Sequence, residues 1–319
     1  MNAFDPARLH PRLPSPLEPV EDERFARYGL TLLLKRDDLI HPALPGNKWR
    51  KLALNLTEAA GRPVLTFGGA YSNHLRATAA AGRLLGFPTV GVVRGHELAG
   101  RPLNPSLARC AADGMRLVFV DRATYRVKHE PDTLARILAL AEIPEETYVV
   151  PEGGSNALAV RGCVELGREL SGRAEVAAVA CGTGGTLAGL AAGFDGRALG
   201  VPVLRGGFLG AEVRALQEAA FGGPRGDWRL DERFHGGGFA RTTPELTAFA
   251  RDFESRHGAW HGLAIERLYV AKMLYGLVTL AAEGAFAPGT RIAAVVTGAP
   301  EPGAEPDAEP DAEVSGPGA

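Results

Sequence analysis

Short apolar runs alternate with amphipathic stretches along most of the chain. Strand-like runs fall at residues 30–34, 64–67, 89–93, 116–120, 148–150, 176–180, 203–209 and 291–296. Periodicity near 3.6 predicts helices over 73–85, 156–170, 244–257 and 271–283. Continuous apolar strands separated by helices indicate an α/β fold with a mostly parallel sheet covered on both faces. Ser155 ahead of the second helix reads as a cap, and Thr243-Pro244-Glu245 supplies an N-cap, an N1 proline and a first-turn acid for the third. Ligands of open α/β sheets gather beyond the carboxyl ends of strands. Polar or glycine-rich turns stand at such places at 46–51, 68–74, 153–156, 182–186 and 297–298, so one shared cleft is expected.

Composition narrows the class. Glycine, at 41 of 319 residues, is nearly twice the usual ~7% and clusters at the ends of apolar runs, where tight turns belong. Cys110, Cys163 and Cys181 are scattered and odd in number, with no disulfide framework or metal-ligand spacing. The first residues lack the charged and apolar regions of a signal peptide, and no apolar run reaches the ~20 residues of a membrane helix. A cytoplasmic location is expected. The net charge of −2 conceals an acidic segment: 301–319 holds six acids and no base, and taking those six from 37 leaves 31 acids against 35 basic groups. That balance is too mild to suggest nucleic acid, and the acidic segment is expected to be disordered.

The chemistry gathers in the turns. Gly46-Asn47-Lys48-Trp49-Arg50-Lys51-Leu52 places one lysine after a glycine turn and a second a helical turn on. A lysine becomes a covalent catalyst when its amine can shed a proton and meet a carbonyl. Cys181-Gly182-Thr183-Gly184-Gly185-Thr186 follows a strand and opens a helix, offering bare amides to an anion. It is neither a P-loop nor a dinucleotide fingerprint, since Leu187 replaces the third glycine; a structural turn is its competing reading.

In order, the chain shows Lys-Arg-Asp-Asp at 35–38, Gly-Asn-Lys-x-Arg-Lys-Leu at 46–52, Gly-Gly-x-x-Ser-Asn-His at 68–74, Gly-Ser-Asn at 154–156, the glycine loop, Tyr-x-x-Lys at 269–272 and Thr-Gly at 297–298. This series resembles the fold-type-II pyridoxal-phosphate enzymes, in the branch holding D-cysteine desulfhydrase and 1-aminocyclopropane-1-carboxylate (ACC) deaminase. The resemblance implies a tryptophan-synthase β-like fold of two three-layer α/β domains, with residues 52–154 inserted into a large domain built from 1–51 and 155–300. It implies pyridoxal 5′-phosphate as cofactor, a small amino acid as substrate and a homodimer.

By the same resemblance, Lys48 carries the cofactor as a Schiff base and shuttles the substrate α-proton. Lys51 and the loop Cys181, Gly182, Thr183, Gly184, Gly185 and Thr186 hold the phosphate. Asn73 meets the phenolic oxygen and Thr297 the pyridine nitrogen. Ser72, Asn73 and His74 hold the substrate carboxylate, and Tyr269 serves as an acid–base group beside catalytic Lys48 and Ser72. The chain departs from the pattern in three places. Glu266-Arg267-Leu268-Tyr269 stands where relatives often carry Asp-Pro-Val-Tyr. Val270 stands where ACC deaminases carry glutamate, and Phe239 aligns with a second active-site tyrosine. A neutral hydroxyl at the ring nitrogen suits β-elimination. The expected activity is α,β-elimination of D-cysteine or a related D-amino acid. The alternatives are ACC deamination and a cofactor-binding regulatory protein without turnover.

Overall fold

The computed structural model describes residues 5–44, 46–144, 146–238, 241–298 and 300. Residues 1–4, Phe239 and the acidic segment 301–319, on which three expectations turn, lie outside them.

Ten strands form two sheets. In chain order they are β1 (Leu17–Val20), β2 (Thr31–Lys35), β3 (Val64–Gly68), β4 (Thr89–Arg94), β5 (Arg116–Val120), β6 (Tyr148–Val150), β7 (Val176–Cys181), β8 (Arg197–Pro202), β9 (Asp227–Leu230) and β10 (Arg291–Val295). The larger sheet runs β1-β2-β10-β7-β8-β9, the smaller β5-β4-β3-β6. Every pairing is parallel except β1 with β2.

The alternation of side chains along a strand sorts the larger sheet's core into two layers. Ala178, Ala180, Leu199, Val201, Ile292 and Ala294 point to a face covered by helices Pro244–His261 and Val270–Ala282. Ala177, Val179, Ala198, Ala293 and Val295 point to the other, covered by helices Ala157–Gly162, Val164–Leu170, Gly185–Gly193 and Leu209–Phe221. Helices Lys48–Ala59 and Asn73–Leu85 pack on one face of the smaller sheet through Leu52, Leu56, Ala77 and Ala81. Both sheets are thus the centres of three-layer α/β units, as expected.

Three local expectations are corrected. Residues 203–209 are not a strand: β8 ends at Pro202, and Leu209 opens a helix. Gly206 and Gly207, at φ 140 and 68, turn the chain between them. The stretch 156–170 is two helices that abut at Cys163. Its cap is Asn156, which accepts from the Ala159 amide at 2.9 Å; Ser155 turns its hydroxyl to Lys51 instead. Thr243 caps its helix as read, accepting from the Leu246 amide at 3.2 Å.

Glycine lets the helices that carry the site approach backbone to backbone. A Cβ at Gly162 would stand 2.1 Å from the Arg50 carbonyl oxygen, and one at Gly189 would stand 2.2 Å from that of Val160. These contacts lock helix Lys48–Ala59 to Ala157–Gly162, and that helix to Gly185–Gly193. Gly189→Ala is expected to destabilise the protein by about 1–3 kcal/mol through overpacking against backbone that cannot move aside. Gly100→Ala, with nothing within 4 Å of its added carbon, serves as the neutral control. Urea denaturation of both variants checks this.

Candidate active site

Gly46 closes the turn that presents Lys48. Its φ of 62 is left-handed, and a Cβ there would fall 1.6 Å from the carbonyl oxygen of Thr297. The next residue joins three segments. The Asn47 amide donates to that same Thr297 carbonyl at 3.0 Å. Its side-chain Nδ2 donates to Thr186 Oγ1 at 2.8 Å, and its Oδ1 accepts from Lys48 Nζ at 3.1 Å. The end of β10, the glycine loop and the lysine meet on one asparagine.

One turn on, Lys51 Nζ donates to Ser155 Oγ at 2.6 Å and to Thr183 Oγ1 at 3.4 Å, and these two hydroxyls bond each other. Among the described residues, neither Lys48 nor Lys51 forms an ion pair with a carboxylate. Burial lowers both amines. Lys48 falls to about 8, with Arg76's charge acting in the same sense. Lys51 falls to about 7, where the charge of Lys48 adds to burial.

Helix Asn73–Leu85 begins opposite. Ser72 is its N-cap and accepts from the Leu75 amide at 3.3 Å. Asn73 Oδ1 accepts from Arg76, which turns the Asn73 amide so that its two N–H groups remain for a ligand. His74, 1% exposed, bonds Thr66 Oγ1 through Nε2 at 2.7 Å, and that hydroxyl donates to the Val150 carbonyl at 2.8 Å. Nε2 therefore carries the ring hydrogen, while Nδ1 is bare and buried without a hydrogen-bond partner among the described residues. Burial, then the charges of Lys51 and Lys48, hold His74 well below its ordinary 6.5. It is neutral and packed against Gly154, and its one N–H is taken by Thr66.

The glycine loop closes the other side. Cys181 points away, into the core, where Sγ donates to the Val179 carbonyl at 3.4 Å and burial pushes the thiol up to about 12; only its backbone can serve a ligand. A Cβ at Gly182 would stand 3.4 Å from Tyr269 Cε1, so the tyrosine lies over the loop. A Cβ at Gly184 would crowd Val213, and one at Gly185 would stand 2.8 Å from Ser155 Oγ and 3.4 Å from Lys51 Cε. Glycine at 185 keeps a cradle open beside the Lys51 amine, at the N-terminal end of helix Gly185–Gly193. All five turns thus converge.

Two amines without a carboxylate partner among the described residues, clustered hydroxyls and the loop amides make a receptor for a dianion, and a lysine of lowered basicity suits a carbonyl. The family described as "Pyridoxal-phosphate dependent enzyme" matches residues 10–298. The chain belongs to this family. It is 31% identical over 80% of its length to a "Putative 1-aminocyclopropane-1-carboxylate deaminase" of Pyrococcus horikoshii, covering 81% of that protein. It is 34% identical over 60% of its length to a "D-cysteine desulfhydrase" of Yersinia pestis, covering 62% of it. A crystal structure of an "ACC deaminase homologue" superposes with a TM-score of 0.74 at 26% identity, covering 93% of this chain and 94% of that one.

The residues present fit the cofactor of this pyridoxal-phosphate-dependent enzyme. The Gly185 cradle, Thr183, Ser155 and Lys51 suit its phosphate, and Lys48 suits its aldehyde. Sequence reasoning missed Asn47, Ser155 as a Lys51 partner, Thr66 and Arg76. Each acts through another residue, and only Arg76, one turn beyond Asn73 on the same helix face, left a signal in the spacing.

The Lys51 amine is charged in both folded and unfolded states below about 7, where its burial costs stability. That cost fades as the pH rises from about 7 toward the ordinary 10.5. Cofactor-free protein is expected to gain stability across this window, and Lys51→Met to gain less. Inorganic phosphate is expected to raise the melting temperature of the parent and not of the variant. Thermal melts against pH and phosphate check both outcomes.

Proposed function

We propose that the enzyme catalyses α,β-elimination from a small D-amino acid, with D-cysteine the favoured substrate and pyruvate, ammonia and sulfide the products. The observation that carries this reading is Lys48, a base poised near neutrality and seated by Asn47 between the glycine loop and the end of β10. Held by Lys48, Lys51 and the glycine loop, pyridoxal phosphate would supply the electron sink that makes the α-proton of an amino acid acidic. Lys48 Nζ then takes the α-proton. The Asn73 amide and the N-terminal end of helix Asn73–Leu85 supply donors for the carboxylate, with Ser72 capping that end. Tyr269, whose phenol burial raises above its ordinary 10, stays protonated and offers its hydrogen to the departing thiolate. Thr297 presents a neutral hydroxyl to the ring nitrogen.

ACC deamination has the names of the archaeal relative and the solved homologue in its favour. Against it, Val270 is fully buried in an apolar cluster and has no proton to give where a ring-opening enzyme needs one. The remainder of the proposal is a cytoplasmic homodimer in which residues 52–154 form the smaller domain. Three buried free cysteines suit a reducing compartment, and the smaller sheet is drawn from residues 64–150.

Purified enzyme is expected to release ammonia and a keto acid from D-cysteine and β-chloro-D-alanine, with turnover of ACC at least ~10²-fold weaker for want of the missing group. Robust ACC turnover with D-cysteine inert would reverse the assignment. Lys48→Ala is expected to cut elimination by roughly 10³-fold or more and to abolish the reducible bond to cofactor, as read by borohydride trapping and peptide mapping.

A further inference from the structure

Helix Val270–Ala282 begins in an unusual way. Tyr269 occupies its N-cap at φ −124 and ψ −68 and makes no side-chain cap, at a position that usually holds Ser, Thr, Asp or Asn. The capping is displaced to Glu266, which is 9% exposed. Its Oε1 accepts from the Leu268 amide and its Oε2 from the Tyr269 amide, each at 2.7 Å. Its backbone carbonyl accepts from the Ala271 amide at 3.0 Å. Three backbone donors around Tyr269 thus answer to one residue. The result is a turn that lays the phenol across the glycine loop, with Oη 3.5 Å from where a Gly182 Cβ would stand.

The same helix fixes a second segment. Lys272 Nζ, one turn beyond Tyr269, donates to the carbonyls of His235 and Gly238 at 2.8 Å each. Gly236, Gly237 and Gly238 run at φ 60, 90 and 122, and glycine alone tolerates that path. Glu266 and Lys272 therefore hold the helix start from both sides, and Tyr269 stands between them. A cap serving helix stability alone needs only a short side chain at position 269 itself. Here that position goes to the phenol, and a longer acid reaches back from 266.

We propose that Glu266 is a positioning residue for the elimination, holding the Tyr269 phenol over the glycine loop where the leaving group departs. The direction of proton donation rests on the function proposed above; the hold on Tyr269 does not. Burial raises the phenol, and the charges of Glu266 and Glu152 raise it further. Glu266 is itself raised by burial, against its backbone donors and the charge of Lys272.

The test compares the parent holoenzyme with Glu266→Gln, Glu266→Asp, Tyr269→Phe and the Glu266→Gln/Tyr269→Phe double variant. A glutamine keeps one acceptor oxygen and sets an N–H₂ against the other amide. Glu266→Gln is expected to lower kcat for D-cysteine by roughly 10–100-fold with KM within a few-fold, and to leave β-chloro-D-alanine, whose chloride departs without a proton, little changed. Glu266→Asp is expected to lose less. The double variant is expected to be no worse than Tyr269→Phe alone, because both changes act through one phenol. Ultraviolet difference titration, with Tyr269→Phe identifying the phenol's contribution, is expected to show its ionisation at lower pH in Glu266→Gln. That readout needs no turnover, so it decides the role of Glu266 even if the parent eliminates nothing. Additive losses in the double variant, an unmoved phenol titration, or a lower melting temperature with unchanged kcat would each reduce Glu266 to a helix cap and overturn the proposal.

Discussion

The site depends on a cation that never faces it. Arg50, between Lys48 and Lys51, turns to the opposite side of the first helical turn, because successive residues on a helix diverge by about 100°. Its guanidinium donates to Asp37 at 2.8 and 2.9 Å and to Glu169 at 3.0 and 2.8 Å. Ser15 bonds Asp37 at 2.6 Å, and Lys35 pairs with Glu169. This buried network joins the end of β2, the lysine helix and helix Val164–Leu170. Breaking such a pair strands an uncompensated charge, at a cost of about 3–5 kcal/mol. With Arg50 fixed, Lys48 and Lys51 have only the cleft to point into.

That division of charge explains the electrostatics of the cleft. Acids neutralise the cation on the far side of the helix, whereas the two cations facing the cleft are matched only by hydroxyls and an amide. The fold accepts two amines far below their ordinary basicity and a histidine held neutral beside them. Strain of this kind is released when an anion arrives, so the binding energy of a phosphate also repairs the protein that binds it.

Much of this was legible in the sequence where pattern and structure share a cause. Helix 73–85 and the strands β3 to β6 follow from periodicity, and the lysine and glycine turns follow from residue type at strand ends. The run 203–209 misled because its apolar residues fall in the turn after β8 and at the start of the next helix, and hydropathy has no mark for where a strand stops. The edge strands β1 and β9 are short and half polar, so they carry little periodic signal. Asn47, Arg76, Thr66 and Glu266 received no role from the sequence for another reason. Each orients a residue that sequence reasoning did find, and the bond from Asn47 to Thr186 spans 139 residues, a distance at which spacing says nothing.

The strand order has a consequence for how the protein is made. β10 lies in the middle of its sheet, between β2 and β7, although it follows every other described strand in the chain. Until it arrives, the facing edges of β2 and β7 lack their partner, a state that invites aggregation and the attention of chaperones. Lys48 is synthesised early, but the carbonyl that seats its neighbour Asn47 belongs to Thr297. A nascent chain therefore carries Lys48 without that seat until Thr297 has followed it.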